Sequence, residues 1–368
     1  MKKIHLFFIL FPLILFSQSD FGPPFNPTYG EVQVNIPQNY YEQANNLSDD
    51  QLKEALHQII SNHVVFPYTS NSTDTWDIIQ ESDQDPNNNN NILLVYTGRS
   101  QDKGYRDGTG NYSQFENGNG TQNNSWNREH IWPKSHGFPD QDDNAYTDVH
   151  NLKPCDRSVN SSRGTKDFDF GGNQHVEALD CLADSDSWEP ADHVKGDIAR
   201  ILFYMVIRYD PGFDHENNEF DLELVDYTTP DNTDPILGKL SSLLEWHISD
   251  PVDDFEINRN EIIFGYQQNR NPFIDHPNLV NYLWGENVGL NWNENLNIME
   301  TEVVKTIIYP NPSSGTINFS IDMQDEIIEI FNTNGQNILN KVIDSNNTVE
   351  LDLPSGIYFL RSNTKSGI

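Results

Sequence analysis

Cysteine is scarce in this chain of 368 residues, which holds only Cys155 and Cys181. Two cysteines exclude the disulfide-rich scaffolds that stabilise many small secreted domains. In an oxidising compartment the pair can form one disulfide, and we predict that Cys155 and Cys181 are bridged. The alternatives are two free thiols or a zinc site completed by His150 or His175. That zinc site lacks the C-x-x-C or H-x-x-x-H spacing typical of such sites.

Basic residues are also few, because 22 Lys and Arg stand against 56 Asp and Glu and give a formal net charge of −34. Nucleic acids are bound largely through Lys and Arg contacts to phosphate, so the overall charge speaks against such a partner. The window 128–166 differs, since its six basic residues balance its six acidic ones. A polyanion could therefore be bound there, while the acidity elsewhere favours solubility outside the cell.

Long apolar runs are missing, with one exception. Lys2 and Lys3 precede an apolar run at 4–16, which is too short to span a bilayer comfortably. This order is typical of a signal peptide, which we assign to residues 1–18. No other segment is apolar enough for a transmembrane helix. We therefore expect a protein that is secreted or displayed at the cell surface.

The rest of the chain divides into an irregular lead-in at 19–47, a catalytic domain at 48–297 and a small all-β module at 300–368. Hydrophobic residues make up 36% of the sequence, which is enough for a normal core. The catalytic domain contains apolar residues at helical spacing, and the module contains short alternating segments separated by turns. The predicted fold class is therefore α+β.

Four helices are predicted in the catalytic domain from capping residues and apolar periodicity. The first helix begins at Ser48, and the other three span 197–209, 236–247 and 256–268. A Gly- and Asn-rich stretch at 102–124 has no helical periodicity and is predicted to form loops or short hairpin strands.

The chemistry-bearing pair is Glu129-His130. On an extended strand end, adjacent side chains point to opposite sides, so one could hold a metal ion while the other faces water. Asn151 offers a neutral oxygen as a second ligand, and Glu129 with Asn151 suits Mg²⁺ that keeps several waters. A Glu-His pair alone is more typical of a structural histidine, so the interpretation depends on the surrounding sequence.

That surrounding sequence resembles the bacterial endonuclease I family over about 52–284. The matching segments carry the pair itself, the Asn151 region and three later motifs. They are W-N-R-E-H-I-W-P-K-S at 126–135, D-V-H-N-L-K-P at 148–154, V-N-S-S-R-G at 159–164, K-G-D-I-A-R at 195–200 and N-R-N-P-F-I-D-H-P at 269–277.

The resemblance implies a ββα-metal core, or His-Me finger, embedded in helices and loops, with the histidine at a strand end and the asparagine on the following helix. It implies that His130 is the general base and that Glu129 and Asn151 bind one divalent ion, Mg²⁺ or alternatively Mn²⁺ or Ca²⁺. Arg163 is expected to hold the scissile phosphate. Further substrate contacts are expected from Arg128, Arg157 and Asn160.

The activity implied is that of a secreted endonuclease of low sequence specificity, which hydrolyses DNA and leaves 5′-phosphate products. Whether RNA is also cut stays open. Two other functions are weighed beside it: a surface binding or adhesion protein on a nuclease-like scaffold, and a phosphodiesterase for small esters. The presence of Glu129, His130 and Asn151 together favours the nuclease, because a decayed enzyme would be expected to lose one of them.

The tail resembles the sorting module of the type IX secretion pathway, through Y-P-N-P-S-S-G at 309–315 and S-G-I-Y-F-L at 355–360. This resemblance implies that the type IX secretion machinery is a partner. The endonuclease I resemblance adds DNA and possibly RNA as substrate, and no stable protein partner is predicted. The usual end of such a module is a further strand with basic residues, whereas this sequence stops at K-S-G-I at 365–368, so a truncated module is expected.

Overall fold

The structure is a computed structural model, and it describes most of the chain. The described residues are 32–117, 120–209, 221–229, 233–294, 308–309, 313, 315–319, 327–333, 336–345, 347–354 and 356–362. The signal peptide predicted at 1–18 lies outside them. The chain forms two compact units, Met1–Asn295 and Leu296–Ile368. Within the described residues, no helix has the length and apolar character needed to cross a membrane.

The first unit combines helices with short strands, so the α+β prediction is confirmed. Its α-helices are α1 (Asp49–Ser61), α2 (Thr75–Ser82), α3 (Asn144–Thr147), α4 (Arg157–Arg163), α5 (Lys195–Arg208), α6 (Leu240–Ser249), α7 (Asp254–Gln267), α8 (Pro272–Asp275) and α9 (Leu279–Trp284). Short 3-10 turns lie at Glu42–Ala44, Lys103–Tyr105, Val149–Asn151 and Asp192–Val194.

The strands of the first unit are short and form small separate sheets. They are β1 (Asn91–Leu93), β2 (Ser100–Asp102), β3 (Ser113–Asn117), β4 (Gly120–Asn124), β5 (Trp126–His130), β6 (Leu152–Asp156), β7 (Asp167–Phe168), β8 (Asn173–Gln174), β9 (Leu182–Ala183), β10 (Ser187–Glu189), β11 (Glu223–Leu224) and β12 (Ile236–Leu237). Antiparallel pairs join β1 to β2, β3 to β4 and β5 to β6. The hairpin of β3 and β4 agrees with the prediction for 102–124.

The core of the first unit is organised around α5, whose residues are all buried. The sequence predicted this helix at 197–209, and the structure extends it two residues toward the N-terminus. It packs against α1, α6 and α8. The apolar side chains of α5 therefore join most of the surrounding elements in one continuous cluster.

Charged groups inside this core are paired. Arg200 of α5 donates two hydrogen bonds of 2.6 Å to the two carboxylate oxygens of Glu256 on α7. Arg270 likewise pairs with Asp275 at 2.6 Å. Arg200 is therefore a structural residue of this core. The 269–277 motif belongs to the same polar network, since Asn271 donates to the carbonyl of Arg200.

One predicted helix differs from the structure at its start. Residues 236–247 were expected to be helical, but Ile236–Leu237 is a strand that pairs in parallel with β11. The backbone N–H of Gly238 then donates to Asp167 at 2.8 Å, and that of Lys239 to the carbonyl of Phe168. These contacts outside the helix hold the chain extended, so α6 begins only at Leu240.

The second unit is β-rich. Its strands are β13 (Ile308–Tyr309), β14 (Thr316–Phe319), β15 (Ile327–Asn332), β16 (Asn337–Val342), β17 (Thr348–Glu350) and β18 (Tyr358–Ser362). They form two three-stranded sheets, in the orders β13-β14-β17 and β16-β15-β18. Apolar residues of both sheets, among them Phe319, Ile330 and Val349, meet in a core of their own.

The Arg200–Glu256 pair gives a testable prediction about stability. Substituting Glu256→Gln removes the nearer counter-charge of a buried guanidinium and leaves only Asp197 at 4.0 Å, so the free energy of unfolding should fall by about 3 kcal/mol. All seven tryptophans lie in the first unit, so their fluorescence during urea denaturation reports on it. The control is Arg157→Gln, which removes an exposed pair with Asp107 and should cost about 1 kcal/mol or less. Equal losses in both variants would contradict the structural role given to Glu256.

Candidate functional site

The predicted catalytic pair lies in a unit of two strands and a helix. β5 and β6 pair antiparallel, with Trp126 opposite Asp156 and His130 opposite Leu152. α4 follows β6 directly at Arg157. The connection between the two strands contains α3 and the 3-10 turn Val149–Asn151. The order strand, strand, helix is the one expected from the resemblance, and His130 is the last residue of β5.

His130 lies on one face of β5 among aromatic rings. Its Nε2 is 2.9 Å from the carbonyl oxygen of Tyr146, and its ring stacks on Tyr68 at 5.8 Å between centroids. A carbonyl can only accept, so Nε2 carries the proton and Nδ1 keeps a lone pair. Nδ1 makes no hydrogen bond to the described residues.

Electrostatics keep this imidazole neutral. Burial, together with the positive charges of Lys134, Arg128 and Arg163, lowers the pKa of His130 to about 3, against the opposing effect of the Tyr146 carbonyl. At neutral pH the ring is therefore an uncharged base with one free nitrogen. This is the protonation state that a general base needs before it accepts a proton.

Glu129 projects to the other side of β5, as predicted for adjacent residues on a strand. Its Oε1 accepts a hydrogen bond of 3.0 Å from the hydroxyl of Tyr96 and lies 3.4 Å from Nη1 of Arg163. Burial raises the pKa of Glu129 to about 7, although Arg163 and Tyr96 act to lower it. Its Oε2 makes no hydrogen bond to the described residues.

Asn151 is placed differently from the prediction, because it lies in the 3-10 turn before β6 and not on the helix after it. Its side-chain oxygen accepts from the backbone N–H of Trp132 at 2.8 Å, and its nitrogen donates to the carbonyl of Trp132 at 3.1 Å. The side chain is fully buried. Both ends of the carboxamide hold the loop after His130, which does not agree with the prediction that Asn151 is a metal ligand.

The asparagine on the helix is Asn160. Its amide nitrogen donates to Oδ1 of Asn127 at 3.0 Å and to the carbonyl of Arg128 at 3.4 Å. Arg128 and Pro154 form a non-hydrogen-bonded pair of the ladder, so the carbonyl of Arg128 points away from β6 and can accept from Asn160. The amide oxygen of Asn160 makes no hydrogen bond to the described residues. Sequence analysis named Asn160 only as a substrate contact.

Arg163 is also placed differently from the prediction. Its guanidinium is 1% exposed and donates to the carbonyls of His130 at 3.3 Å and Ile131 at 2.9 Å. It also lies over the ring of Phe168 and close to Glu129. Because these partners occupy it inside the protein, Arg163 fixes the end of β5 against α4 and does not reach a substrate phosphate in this structure.

The other predicted cations divide into one buried and one exposed residue. Arg128 is buried, stacks on Tyr68 and Trp76, and donates to Thr75 at 2.7 Å. Arg157 is exposed and pairs with Asp107 at 3.2 Å. Arg157 is thus available to a ligand, whereas Arg128 supports the aromatic wall beside His130.

Sequence analysis missed Lys134 and Tyr146. Lys134 is exposed, and its ammonium group donates to the hydroxyl of Tyr146 at 2.6 Å. Tyr146 in turn holds His130 through its carbonyl. The sequence does contain a sign that Lys134 lies at the site, because Lys134 follows the Glu-His pair by only a few residues. It contains no such sign for Tyr146, because the contact of Tyr146 with His130 joins positions 16 residues apart.

The predicted disulfide is not formed in the structure. Cys155 and Cys181 are both free, buried thiols. The sulfur of Cys181 instead donates to the carbonyl of Tyr96 at 3.3 Å. Burial raises the pKa of Cys181 to about 12, which keeps this thiol protonated and unreactive. The prediction of a Cys155–Cys181 bridge therefore disagrees with the structure.

A hard divalent cation fits the oxygen groups left on this unit. Within the described residues, no three His, Cys, Asp or Glu side chains are grouped closely enough to hold a metal ion by themselves. The unpaired Oε2 of Glu129 and amide oxygen of Asn160 nevertheless form the donor set that Mg²⁺ accepts when waters complete its coordination.

Comparison with known proteins identifies the family of the chain. The Endonuclease I family model matches residues 48–278, and the Secretion system C-terminal sorting domain model matches residues 307–368. A protein named extracellular ribonuclease from Bacillus subtilis (strain 168) is 46% identical over 248 residues, which are 67% of this chain and 78% of that protein.

A second extracellular ribonuclease, from Bacillus amyloliquefaciens, is 46% identical over 246 residues, again 67% of this chain and 78% of that protein. The sorting domain at 307–368 confirms the predicted export address, so the protein is secreted or held at the cell surface. The chain is therefore a secreted nuclease that belongs to the endonuclease I family.

Proposed function

We propose that this protein is a metal-dependent endonuclease of low sequence specificity that hydrolyses phosphodiester bonds in DNA and in RNA and leaves 5′-phosphate products. The observation that carries the proposal is His130, a neutral imidazole with Nε2 held by the Tyr146 carbonyl and Nδ1 free. The names of the two ribonuclease relatives support RNA as a substrate beside the DNA expected from the family.

His130 acts by taking a proton from the attacking water at Nδ1. The carbonyl of Tyr146 holds the ring in place and stabilises the imidazolium that forms, since Nε2–H then donates from a charged ring. Tyr68 and Tyr146 keep bulk water from most of the ring. Arg163 binds the carbonyls of His130 and Ile131 and so fixes the base at the end of β5.

Glu129 and Asn160 would hold the divalent ion, Mg²⁺ or alternatively Mn²⁺ or Ca²⁺. α4 lies against the face of β5 that carries Asn127 and Glu129, because Asn160 contacts Asn127 and Arg163 contacts Glu129. When bound, the ion stabilises negative charge on the phosphoryl and leaving oxygens. The scissile phosphate is proposed to sit at the edge of β5, where these oxygens and His130 can both reach it.

Low sequence specificity follows from the groups available around the site. Between residues 126 and 163, all of which are described, the exposed cations are Lys134 and Arg157. Single cations of this kind contact phosphates, which position a strand without reading its bases. Lys134 lies beside the Tyr146 ring that contacts His130 and is proposed to contact the phosphate there.

The base and the metal are tested together by cleavage of supercoiled plasmid and of a structured RNA by the mature protein in Mg²⁺. His130→Ala should lower the rate by at least ~100-fold, because a general base contributes that much or more. EDTA should abolish cleavage. The control is His193→Ala, a half-buried histidine outside the unit of β5, β6 and α4.

Two results would change the proposal. Full activity in His130→Ala would show that another group is the base. A wild type that cuts neither polymer in Mg²⁺, Mn²⁺ or Ca²⁺, yet binds them, would favour the surface binding protein on a nuclease-like scaffold. Faster turnover of a small aryl phosphodiester than of either polymer would favour the small-ester phosphodiesterase.

The metal ligands are tested by comparing the two asparagines. Asn160→Ala should raise the Mg²⁺ concentration needed for half-maximal rate by roughly 10-fold or more, since even residues behind the ligands change metal affinity by 10–100-fold. Asn160→Asp keeps a side-chain oxygen at this position, so its Mg²⁺ concentration for half-maximal rate should be close to that of the wild type. Asn151→Ala should instead lower the thermal midpoint and leave the Mg²⁺ requirement of the folded protein unchanged. A changed requirement in Asn151→Ala alone would return the ligand role to Asn151.

A further inference from the structure

A groove lies at the start of β5, at the opposite end of that strand from His130. It has a volume of about 340 Å³, and its lining includes Asp107, Asn111, Tyr112, Asn123, Ser125 and Arg157. We call it the Tyr112 groove. None of the roles given above to His130, Glu129 and Asn160 uses it.

The groove is connected to the catalytic unit through the backbone. Ser125 directly precedes β5, and its carbonyl accepts the backbone N–H of Arg157 at 2.9 Å. Arg157 opens α4, and Asn160 follows three residues later, so the two lie on the same side of that helix. The groove therefore has a fixed position relative to Glu129 and His130.

The distance suits a flanking nucleotide of a bound strand. Glu129 is four residues beyond Ser125, which is about 13 Å along a strand that rises about 3.3 Å per residue. That length equals about four steps of 3.4 Å in a duplex, and fewer steps in a more extended single strand. A strand with its scissile phosphate beside His130 can thus place a base and a phosphate a few positions away in the Tyr112 groove.

The groove offers the groups that such a nucleotide needs. Tyr112 is 49% exposed as a residue, and the side chain of Arg157 is 55% exposed. An exposed aromatic ring stacks on any base, and a guanidinium binds phosphate with paired hydrogen bonds. Gly108 and Gly110 both have positive φ, and a Cβ added to either would meet no atom within 4 Å. The groove is therefore open to a ligand on this side.

The carboxylate of Asp107 would compete with a substrate phosphate for the guanidinium of Arg157. Asp107 pairs with Arg157 at 3.2 Å, and both side chains are exposed. An exposed pair of this kind contributes little stability, so a phosphate can replace the carboxylate at small cost. Asp107 would then act as a weak competitor that keeps the affinity of the groove modest in this acidic protein.

We propose that the Tyr112 groove is a subsite for one flanking nucleotide of the substrate strand, with the base stacked on Tyr112 and the phosphate bound by Arg157. The inference rests on the proposed function, because it assumes that the strand is cleaved beside His130. The ligand class is a single-stranded or locally unpaired region of RNA or DNA, since a stacked base must leave its partner.

The test measures kcat/KM for single-stranded oligonucleotides of two to ten residues, with wild type, Tyr112→Ala, Arg157→Gln and Asp107→Asn. In the wild type, kcat/KM should rise once the strand is long enough to reach the groove. Tyr112→Ala should lower kcat/KM for the decanucleotide about 10-fold relative to the shortest strand that is cleaved, mainly through KM. Arg157→Gln should do the same and reduce the slope of log(kcat/KM) against log[salt] by about 1.

Asp107→Asn should change kcat/KM in the opposite direction and improve it for the decanucleotide, because the competing charge is gone. The matched control is Tyr227→Ala, an exposed tyrosine outside the groove that should behave as wild type at every length.

Three results would overturn the inference, and they are distinguishable from one another. Variants that cut every length as fast as wild type would show that no nucleotide enters the groove, while the nuclease itself stands. An equal loss at every length would show that the substitutions disturb the catalytic unit. A wild type that cuts none of the strands, nor plasmid or structured RNA, would remove the proposed function and the subsite with it.

Discussion

The site depends on one buried carboxylate, Asp148, which makes four hydrogen bonds inside the protein. It accepts from the hydroxyls of Tyr204 and Tyr209 on one side, and from Gln267 and the backbone of His150 on the other. Burial alone would raise the pKa of Asp148, but neighbouring histidines and these donors lower it to about 2. A charged group this well satisfied fixes the 3-10 turn before β6 to α5 and α7. Asn151 lies in this turn and fixes the loop after His130, because its side chain is hydrogen-bonded to both backbone groups of Trp132.

Glu129 and His130 are adjacent in sequence, but their side chains lie in different surroundings. Strand alternation gives them separate surroundings, with Tyr96 and Arg163 around the one and Tyr68 and Tyr146 around the other. Burial shifts the pKa of Glu129 up and that of His130 down, so both groups are pushed toward their neutral forms.

The α+β class and the central helix α5 could be predicted from the sequence because they depend on local pattern, and the family resemblance implied that His130 lies at a strand end. Sequence reasoning failed where the outcome depends on tertiary contacts. Asn151 and Asn160 both lie in motifs that resemble the endonuclease I family. Only the structure shows that the side chain of Asn151 is hydrogen-bonded to the backbone of Trp132. Arg163 is expected from the family resemblance to hold the scissile phosphate, but α4 turns it inward onto the carbonyls of His130 and Ile131. The cysteine pair could not be judged either, since a bridge requires a geometry that spacing does not reveal.

The acidity of the chain has a consequence for how it can hold a polyanion. Most cations of the catalytic unit have partners inside the protein. Arg128 stacks on an aromatic ring, Lys153 pairs with Asp83, and Arg163 donates to a carbonyl group. Lys134 and Arg157 are the ones exposed to solvent between residues 126 and 163. With about two phosphate contacts, log K should fall with log[salt] at a slope of only about −2, against about −7 for a protein with eight. Under the proposed function, affinity would come mainly from the metal ion and from stacking on Tyr112, which salt screens far less. A nuclease of this kind would lose little activity in salty surroundings outside the cell, where a strongly basic enzyme would release its substrate.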